Sequence, residues 1–459
     1  MTRCDFLVVG GGPAGQKAAV QAAKAGSQVV LVEQDSALGG ACVRRGTIPS
    51  KTLRETALAL EGFRRRSGGV FPVVLDEQQQ VDSLMLRKDD VLAAHDRFLG
   101  DQLRRNGVDV WHGRARFVDA HTLEVQPVVG APRRVSAPII IIATGSRPRT
   151  PPGIPVDHEH VLDSDSILSL AYLPRSLAVL GAGVIACEYA SIFAALGVSV
   201  TVIDKAPRPL GFLDEEITDR WVSSFGGRFI GQVGVARVEW DGVSQVVTTL
   251  DSGEQVVTEK LLCALGRVAN VEQLNLPAAG LQPTTRGLLE VDAHGRTAVS
   301  HIYAVGDAVG PPSLASTSME QGRRAALHAL GLPAPASSDL IPVGVFTIPE
   351  MAAVGLTEKQ AAERHKRVVV GRARFDEVAR GIIAAVPEGL LKLVVDVESR
   401  KLLGIHIVGE GAAELVHVGQ MALIGGLPVE TFVEHTFNFP TLAEAYRIAA
   451  LDACRPRRA

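Results

Sequence analysis

Two glycine-rich turns are the parts of this chain best suited to chemistry. The first is Gly10-x-Gly12-x-x-Gly15, followed 18 residues after Gly15 by Glu33. The second is Gly181-x-Gly183-x-x-Ala186, with Asp204 at the same spacing from Ala186. A pyrophosphate needs a turn free of side chains, because the amides of a helix N-terminus must approach the anion closely. Gly10 permits that turn, Gly12 admits the phosphate, and Gly15 lets helix and strand touch; the second site repeats the pattern. An acid closing the next strand accepts from a ribose hydroxyl pair. Asp204 in that role favours NAD(H) and repels the 2′-phosphate of NADP(H). Lys205 and Arg208 follow it, either to offset that repulsion or as ordinary solvated cations of a turn.

The elements that must position these residues form a repeat. Residues 5–33 and 176–204 each read as an apolar strand, a glycine turn, an alanine-rich helix, a second apolar strand and a terminal acid. Strands without polar alternation are buried on both faces, as in parallel sheets. The expected fold class is therefore α/β, with two doubly wound Rossmann-like nucleotide-binding domains. Residues 137–152 read as a buried strand, a glycine turn at Thr144-Gly145 and a proline-rich exit, which puts a crossover near residue 148. Residues 260–270 form a second strand-to-turn around Gly266, and 301–310 a strand ending in Gly306-Asp307. Residues 331–338 read as a loop. Beyond about residue 340, short strands mixed with helices predict an α+β C-terminal domain. The resulting boundaries are 1–148 with 271–338, then 149–270, then 339–459.

Composition bounds the function. The chain has 459 residues, 46% hydrophobic and 21% charged, with a net charge of −3. At roughly 150 residues per domain, that length suggests about three domains. The charge gives no footprint for nucleic acid, and the basic runs at 64–66 and 455–458 are short enough to be a solvated face and a frayed end. Cys4, Cys42, Cys187, Cys263 and Cys454 are scattered, with neither a CxxC pair nor metal-ligand spacing. No disulfide framework and no metal are expected, and a reducing cytoplasm fits. Asp5 interrupts any early signal-like run, and no apolar stretch is long enough for a membrane span.

Taken in order, the motifs resemble the class I pyridine-nucleotide disulfide oxidoreductase family over nearly the whole chain. The strings GTIPSK (46–51), LDSDSIL (162–168), GAGVIACEYASIF (181–193), FLDEEI (212–217), PSLAS (312–316) and FNFPTLAEAYR (437–447) carry the resemblance. It implies FAD on the first nucleotide-binding domain, a nicotinamide nucleotide on the second, and a two-fold homodimer through the C-terminal domain. Residue by residue, Gly10, Gly12, Gly15 and Glu33 would hold the ADP part of FAD. Gly39, Gly40 and Cys42 would line its pyrophosphate and ribityl region, and the Ala115 backbone would meet the adenine. Thr144 and Gly145 would cover the diphosphate, Asp307 would bond the ribityl chain, and Leu314 and Ala315 would reach the flavin ring. Val184 would lie over the nicotinamide-facing ring surface. Lys51 and Glu188 would pair beside the flavin, the cation stabilising negative charge that builds there.

Two departures from that family decide the expected activity. Its redox loop carries two cysteines five positions apart; here the first is Cys42 and the second is Thr47. Dithiol exchange needs two sulfurs, and threonine supplies none. The family's C-terminal loop reads His-Pro-Thr; here it reads Phe439-Pro440-Thr441, with the acid retained as Glu444. Phenylalanine transfers no proton, and His435 lies off the loop tip. Cys42 is then a packing residue beside FAD. The expected chemistry stops at hydride transfer, between NADPH and NAD⁺ taken in turn at one nicotinamide pocket. Two alternatives stand beside it: an NAD(P)H:quinone or dye reductase, and a silent nucleotide-sensing flavoprotein.

Overall fold

The structure is a computed structural model, and it describes residues 1–66, 77–334, 339–386 and 388–455. The side chains of the arginine run 64–66, residues 335–338 of the expected loop, and the tail beyond Arg455 lie outside the described residues. The chain divides into two compact units. The first comprises 1–52, 82–149 and 265–337; the second comprises 53–81, 150–264 and 338–459. The division falls inside the Thr47–Arg66 helix.

The first unit is built on a five-stranded parallel sheet, ordered Ile302–Ala304, Ile139–Ile142, Phe6–Val9, Val29–Glu33, Asp109–His112. Successive side chains of a strand face opposite ways, so the unbroken apolar runs must bury two faces. One face sends Phe6, Val8, Val29, Leu31 and Ile141 against Ala18, Ala19 and Ala22 of the Pro13–Lys24 helix and against Leu99 and Leu103. The other sends Leu7, Val9, Val30, Val32, Ile140 and Ile142 against Phe117, Leu123, Val125 and Val135. These last belong to a second sheet of four strands, whose order is Thr2–Arg3, Arg133–Ser136, Thr122–Gln126, Arg114–Asp119. A β-layer thus covers the face that a simple doubly wound pattern would give to helices. Arg267–Ala269 pairs with Ser146–Pro148 within this unit.

The second unit repeats the parallel design with strands Val161–Asp163, Lys260–Cys263, Ser176–Leu180, Ser199–Ile203 and Arg228–Ile230, in that order. A three-stranded antiparallel sheet, Val235–Trp240 to Thr258, follows in sequence. The unit also holds a five-stranded antiparallel sheet in which Met351–Gly355, Leu402–Val408, Leu390–Asp396 and Val368–Arg374 lie side by side. Helices Ala412–Ile424 and Glu444–Cys454 bury Val416, Ala422, Ala445, Tyr446 and Ala449 in the same core as Leu391, Leu393, Ile405 and Ile407. No helix among the described residues is long and apolar enough to cross a membrane.

Candidate active site

Both glycine turns sit at the carboxyl end of a parallel strand whose two neighbours continue the sheet in opposite directions. In an open α/β sheet that switch point is where ligands bind. In the first unit, Gly10 has φ +109°, and a Cβ there would lie 2.3 Å from the Ala143 carbonyl oxygen. A Cβ on Gly15 would lie 1.9 Å from the Gly10 carbonyl oxygen, so the helix can start this close only with glycine. Gly12 differs: the nearest atom to its added Cβ is the Gly40 Cα at 3.9 Å. Its openness therefore serves something other than protein packing. Gly12 ends the turn before the Pro13–Lys24 helix without a side-chain cap, leaving orphan amides there. Gly39 donates its amide to the Gly11 carbonyl at 2.9 Å and precedes the short Gly40–Arg44 helix, which brings the second glycine pair against the first.

Glu33 is buried, and its two oxygens accept the amides of Gly11 (2.7 Å) and Asp35 (2.9 Å). Burial pushes its carboxyl up, against the downward pull of those two amides. Asp204 in the second unit repeats the arrangement, accepting from Ala182 N at 2.7 Å and Ala206 N at 2.6 Å. Each acid thus fixes its own glycine turn, a duty the sequence pattern did not reveal. Gly181 has φ +100°. Gly183 has open space where a Cβ would stand and precedes the uncapped Val184–Ala195 helix. Val184 is that helix's first residue, half-buried, and Ala186 is fully buried. Glu188 is 5% exposed and accepts from Phe346 N at 2.9 Å. Lys205 is exposed, whereas Arg208 Nη1 lies 2.5 Å from Asp219 Oδ2.

The rest of the first-unit set gathers near the first turn or at its own sheet edge. Asp307 Oδ2 accepts from Ser146 Oγ at 2.5 Å, and Arg267 donates to Ser146 Oγ (2.8 Å) and to its carbonyl (2.7 Å). Asn270 donates to the Thr144 carbonyl at 3.1 Å. Ser146, Arg267 and Asn270 escaped the sequence reading, although Ser146 directly follows Thr144-Gly145 and Arg267 directly follows Gly266. Gly145 and Gly266 have φ +66° and +100°, both with open space at the Cβ position. Ala115 lies on Arg114–Asp119, the edge strand of the four-stranded sheet. Leu314 and Ala315 open the Ala315–Ala329 helix, again without a side-chain cap.

Cys42 sits in the Gly40–Arg44 helix. Burial pushes its thiol up; the Thr47 hydroxyl and the Lys51 charge pull down, and Asp307 pushes up again. The net rise keeps it a thiol near neutrality. Lys51 Nζ lies 3.5 Å from Ser50 Oγ, in the first turns of the Thr47–Arg66 helix. Phe439 is 68% exposed, and the Glu444–Cys454 helix begins at the retained acid. His435 is exposed, with Nδ1 3.0 Å from the Thr431 carbonyl.

A dinucleotide fits the first unit. The Thr144 hydroxyl oxygen is buried without a hydrogen-bond partner, an arrangement that costs free energy unless a ligand supplies the bond. Three uncapped helix starts, an open glycine and this orphan hydroxyl are the donor set a pyrophosphate requires.

Comparison with known proteins supplies the lineage. Residues 4–322 match the family model for pyridine nucleotide-disulphide oxidoreductases, and residues 341–450 match the dimerisation domain of the same family. The chain belongs to the pyridine nucleotide-disulphide oxidoreductase family. Among curated members, the "Soluble pyridine nucleotide transhydrogenase" of Mycobacterium tuberculosis (strain ATCC 25177 / H37Ra) is 45% identical, covering 100% of this chain and 99% of the relative. The protein of that name from Marinomonas sp. (strain MWYL1) is 40% identical, covering 98% and 97%. Among solved structures, LpdA from Mycobacterium tuberculosis superposes with a TM-score of 0.89 at 28% identity, over 98% of this chain and 99% of that one. The HOCl-induced flavoprotein disulfide reductase RclA from Escherichia coli gives 0.88 at 28%, over 97% and 99%. The fold of the family is therefore present over nearly the whole chain.

Proposed function

We propose that this chain is an FAD-dependent transhydrogenase that moves hydride between NADPH and NAD⁺, each nucleotide occupying the same pocket in turn. The observation that carries this reading is the redox loop itself. Thr47 stands where a second sulfur would be, its hydroxyl directed to a Cys42 thiol that burial keeps protonated. Phe439 removes the proton donor from the C-terminal loop, so neither half of a disulfide relay remains. The names of the full-length relatives agree with hydride exchange and favour neither a quinone reductase nor a silent sensor.

FAD, when bound, supplies a centre that takes up and releases two electrons as hydride. The chain's own residues align and polarise. Gly10, Gly12, Gly15, Gly39, Gly40, Thr144, Gly145, Leu314 and Ala315 bind through backbone groups and one hydroxyl. Glu33 and Asp204 fix the turns and retain lone pairs for ribose hydroxyls. Asp307, braced by Ser146 and Arg267, meets the ribityl chain, and Ala115 the adenine. Val184 leaves room for a stacked nicotinamide. Lys51 supplies positive charge where negative charge develops, with Glu188 as its proposed counter-charge. No residue is required to transfer a proton. The proposed setting is the cytoplasm and the proposed assembly a homodimer through residues 339–459.

A steady-state assay tests this. Purified holoenzyme should reduce an NAD⁺ analogue with NADPH and fail to turn over lipoamide or oxidised glutathione. Menadione turnover with a negligible nucleotide rate would overturn the assignment in favour of a quinone reductase.

A further inference from the structure

A transhydrogenase must accept two nucleotides that differ by one phosphate, and the second unit offers a fixed anion followed four residues later by a restrained cation. Asp204 is fixed, because each of its oxygens already accepts a backbone amide, at 2.7 and 2.6 Å. Arg208, four residues on, is restrained. Its Nη1 lies 2.5 Å from Asp219 Oδ2, and its Nη2 lies 3.9 Å from Glu215 Oε2. Nη1 also donates to the Glu215 carbonyl at 3.5 Å. Both acids lie on the Glu215–Ser224 helix, whose start is pinned by the Asp214 cap. The Arg208 and Asp219 side chains are 39% and 56% exposed. Ion pairs this wet contribute little net stability, whereas an arginine meets a phosphate through strong, charge-assisted bidentate bonds. A 2′-phosphate can therefore take the guanidinium from Asp219, and a 2′-hydroxyl cannot.

We propose that Asp219 is the positioning residue that sets nucleotide preference, holding Arg208 aside while NAD(H) is bound and yielding it to the 2′-phosphate of NADP(H). The proposal rests on the two-nucleotide function above. It makes the competition between Asp219 and phosphate the device that keeps the two affinities close.

The test is calorimetric titration of FAD-loaded enzyme with NADP⁺ and, separately, NAD⁺ at low ionic strength. Asp219→Asn should tighten NADP⁺ binding about two- to fivefold, the range that release of an exposed ion pair allows, with NAD⁺ changing less than about twofold. Asp219→Ala should do the same, which guards against a folding defect peculiar to one variant. Adding Arg208→Ala should erase the gain, and high salt should shrink it. An unmoved NADP⁺ to NAD⁺ ratio in both Asp219 variants, or a gain that survives loss of Arg208, would overturn the proposal alone. A wild-type enzyme that binds only one of the nucleotides would overturn the two-nucleotide function and this proposal with it.

Discussion

At the scale of single residues, the decisive chemistry is what Cys42 does without a partner. Its thiol is pushed up by burial, with Thr47 and Lys51 offsetting only part of the rise, and the thiolate is the reactive form. Cys42→Ser should therefore leave NADPH-to-NAD⁺ transfer within about threefold of wild type; a loss beyond about tenfold, or about 1.4 kcal/mol in the barrier, with FAD retained would contradict the assignment. Lys51→Met should act in the opposite sense. The rate of flavin bleaching by NADPH should fall by about 10²-fold or more, the scale for losing one preorganised electrostatic group, while the nucleotide Kd moves by much less. Much of this site is legible in the sequence because each fingerprint lies within one βαβ segment, where spacing alone places glycine and acid. The Asp307–Ser146–Arg267 chain is not, since its members are 161 and 121 residues apart and only the fold joins them. Likewise, spacing marks Glu33 and Asp204 as candidate ribose ligands but conceals that each ties down its own turn.

Among the elements, the Pro13–Lys24 helix fits closely against its neighbours. Gly15 meets the Gly10 carbonyl, and a Cβ on Gly322 of the Ala315–Ala329 helix would lie 2.1 Å from the Ala14 carbonyl oxygen. Both helices start at the proposed flavin site, so a backbone shift in either moves its donors. Gly15→Ala and Gly322→Ala should each cost about 1–3 kcal/mol from overpacking. In both, FAD should be released at lower denaturant than from wild type, as followed by flavin fluorescence; retention equal to wild type would show that the helix starts do not set the cradle. The parallel strands are readable because unbroken runs such as FLVV and VVLVE demand burial on two faces. What covers those faces is less so. The covering sheet includes the two-residue strand Thr2–Arg3 and the polar strand Arg114–Asp119, which carry little pattern of their own and are recruited by the apolar face they shield.

Across the whole molecule, a charge cluster centred on the buried Lys392 and Asp214 joins the start of the Glu215–Ser224 helix of the second unit to its antiparallel sheet. Lys392, 2% exposed, lies 2.7 Å from Asp214, 3.0 Å from Glu216 and 2.8 Å from Glu358. Burial alone would raise the Asp214 and Glu216 carboxyls, but Lys392 at Asp214, and Arg372 followed by Lys392 at Glu216, outweigh it and hold both low. Burial likewise opposes the Lys392 charge, and its three acids reverse that. Lowered acids lend stability above their unfolded values near 4 and lose it as pH falls through the folded ones. The raised lysine lends stability below about 10.4 and loses it as pH climbs through its folded value. His406, paired with Lys392 across the ladder, is held low by burial. The unfolded chain therefore takes up its proton first, and stability should begin to fall below about pH 6.5. Calorimetry across pH should show that early acid slope flattened in His406→Leu, and an unchanged slope would remove His406 from the account. Lys392→Met should cost about 3–5 kcal/mol by stranding the buried Asp214 carboxylate, seen as a lowered Tm of the second unit. The central claim is that electrons pass between nucleotides with no sulfur in between, and anaerobic stopped-flow tests it most directly. NADPH should bleach the flavin absorbance in a single phase without a long-wavelength thiolate band, and NAD⁺ should then restore the colour fully in wild type and Cys42→Ser alike. Restoration that required a disulfide substrate, or that vanished with Cys42, would contradict it.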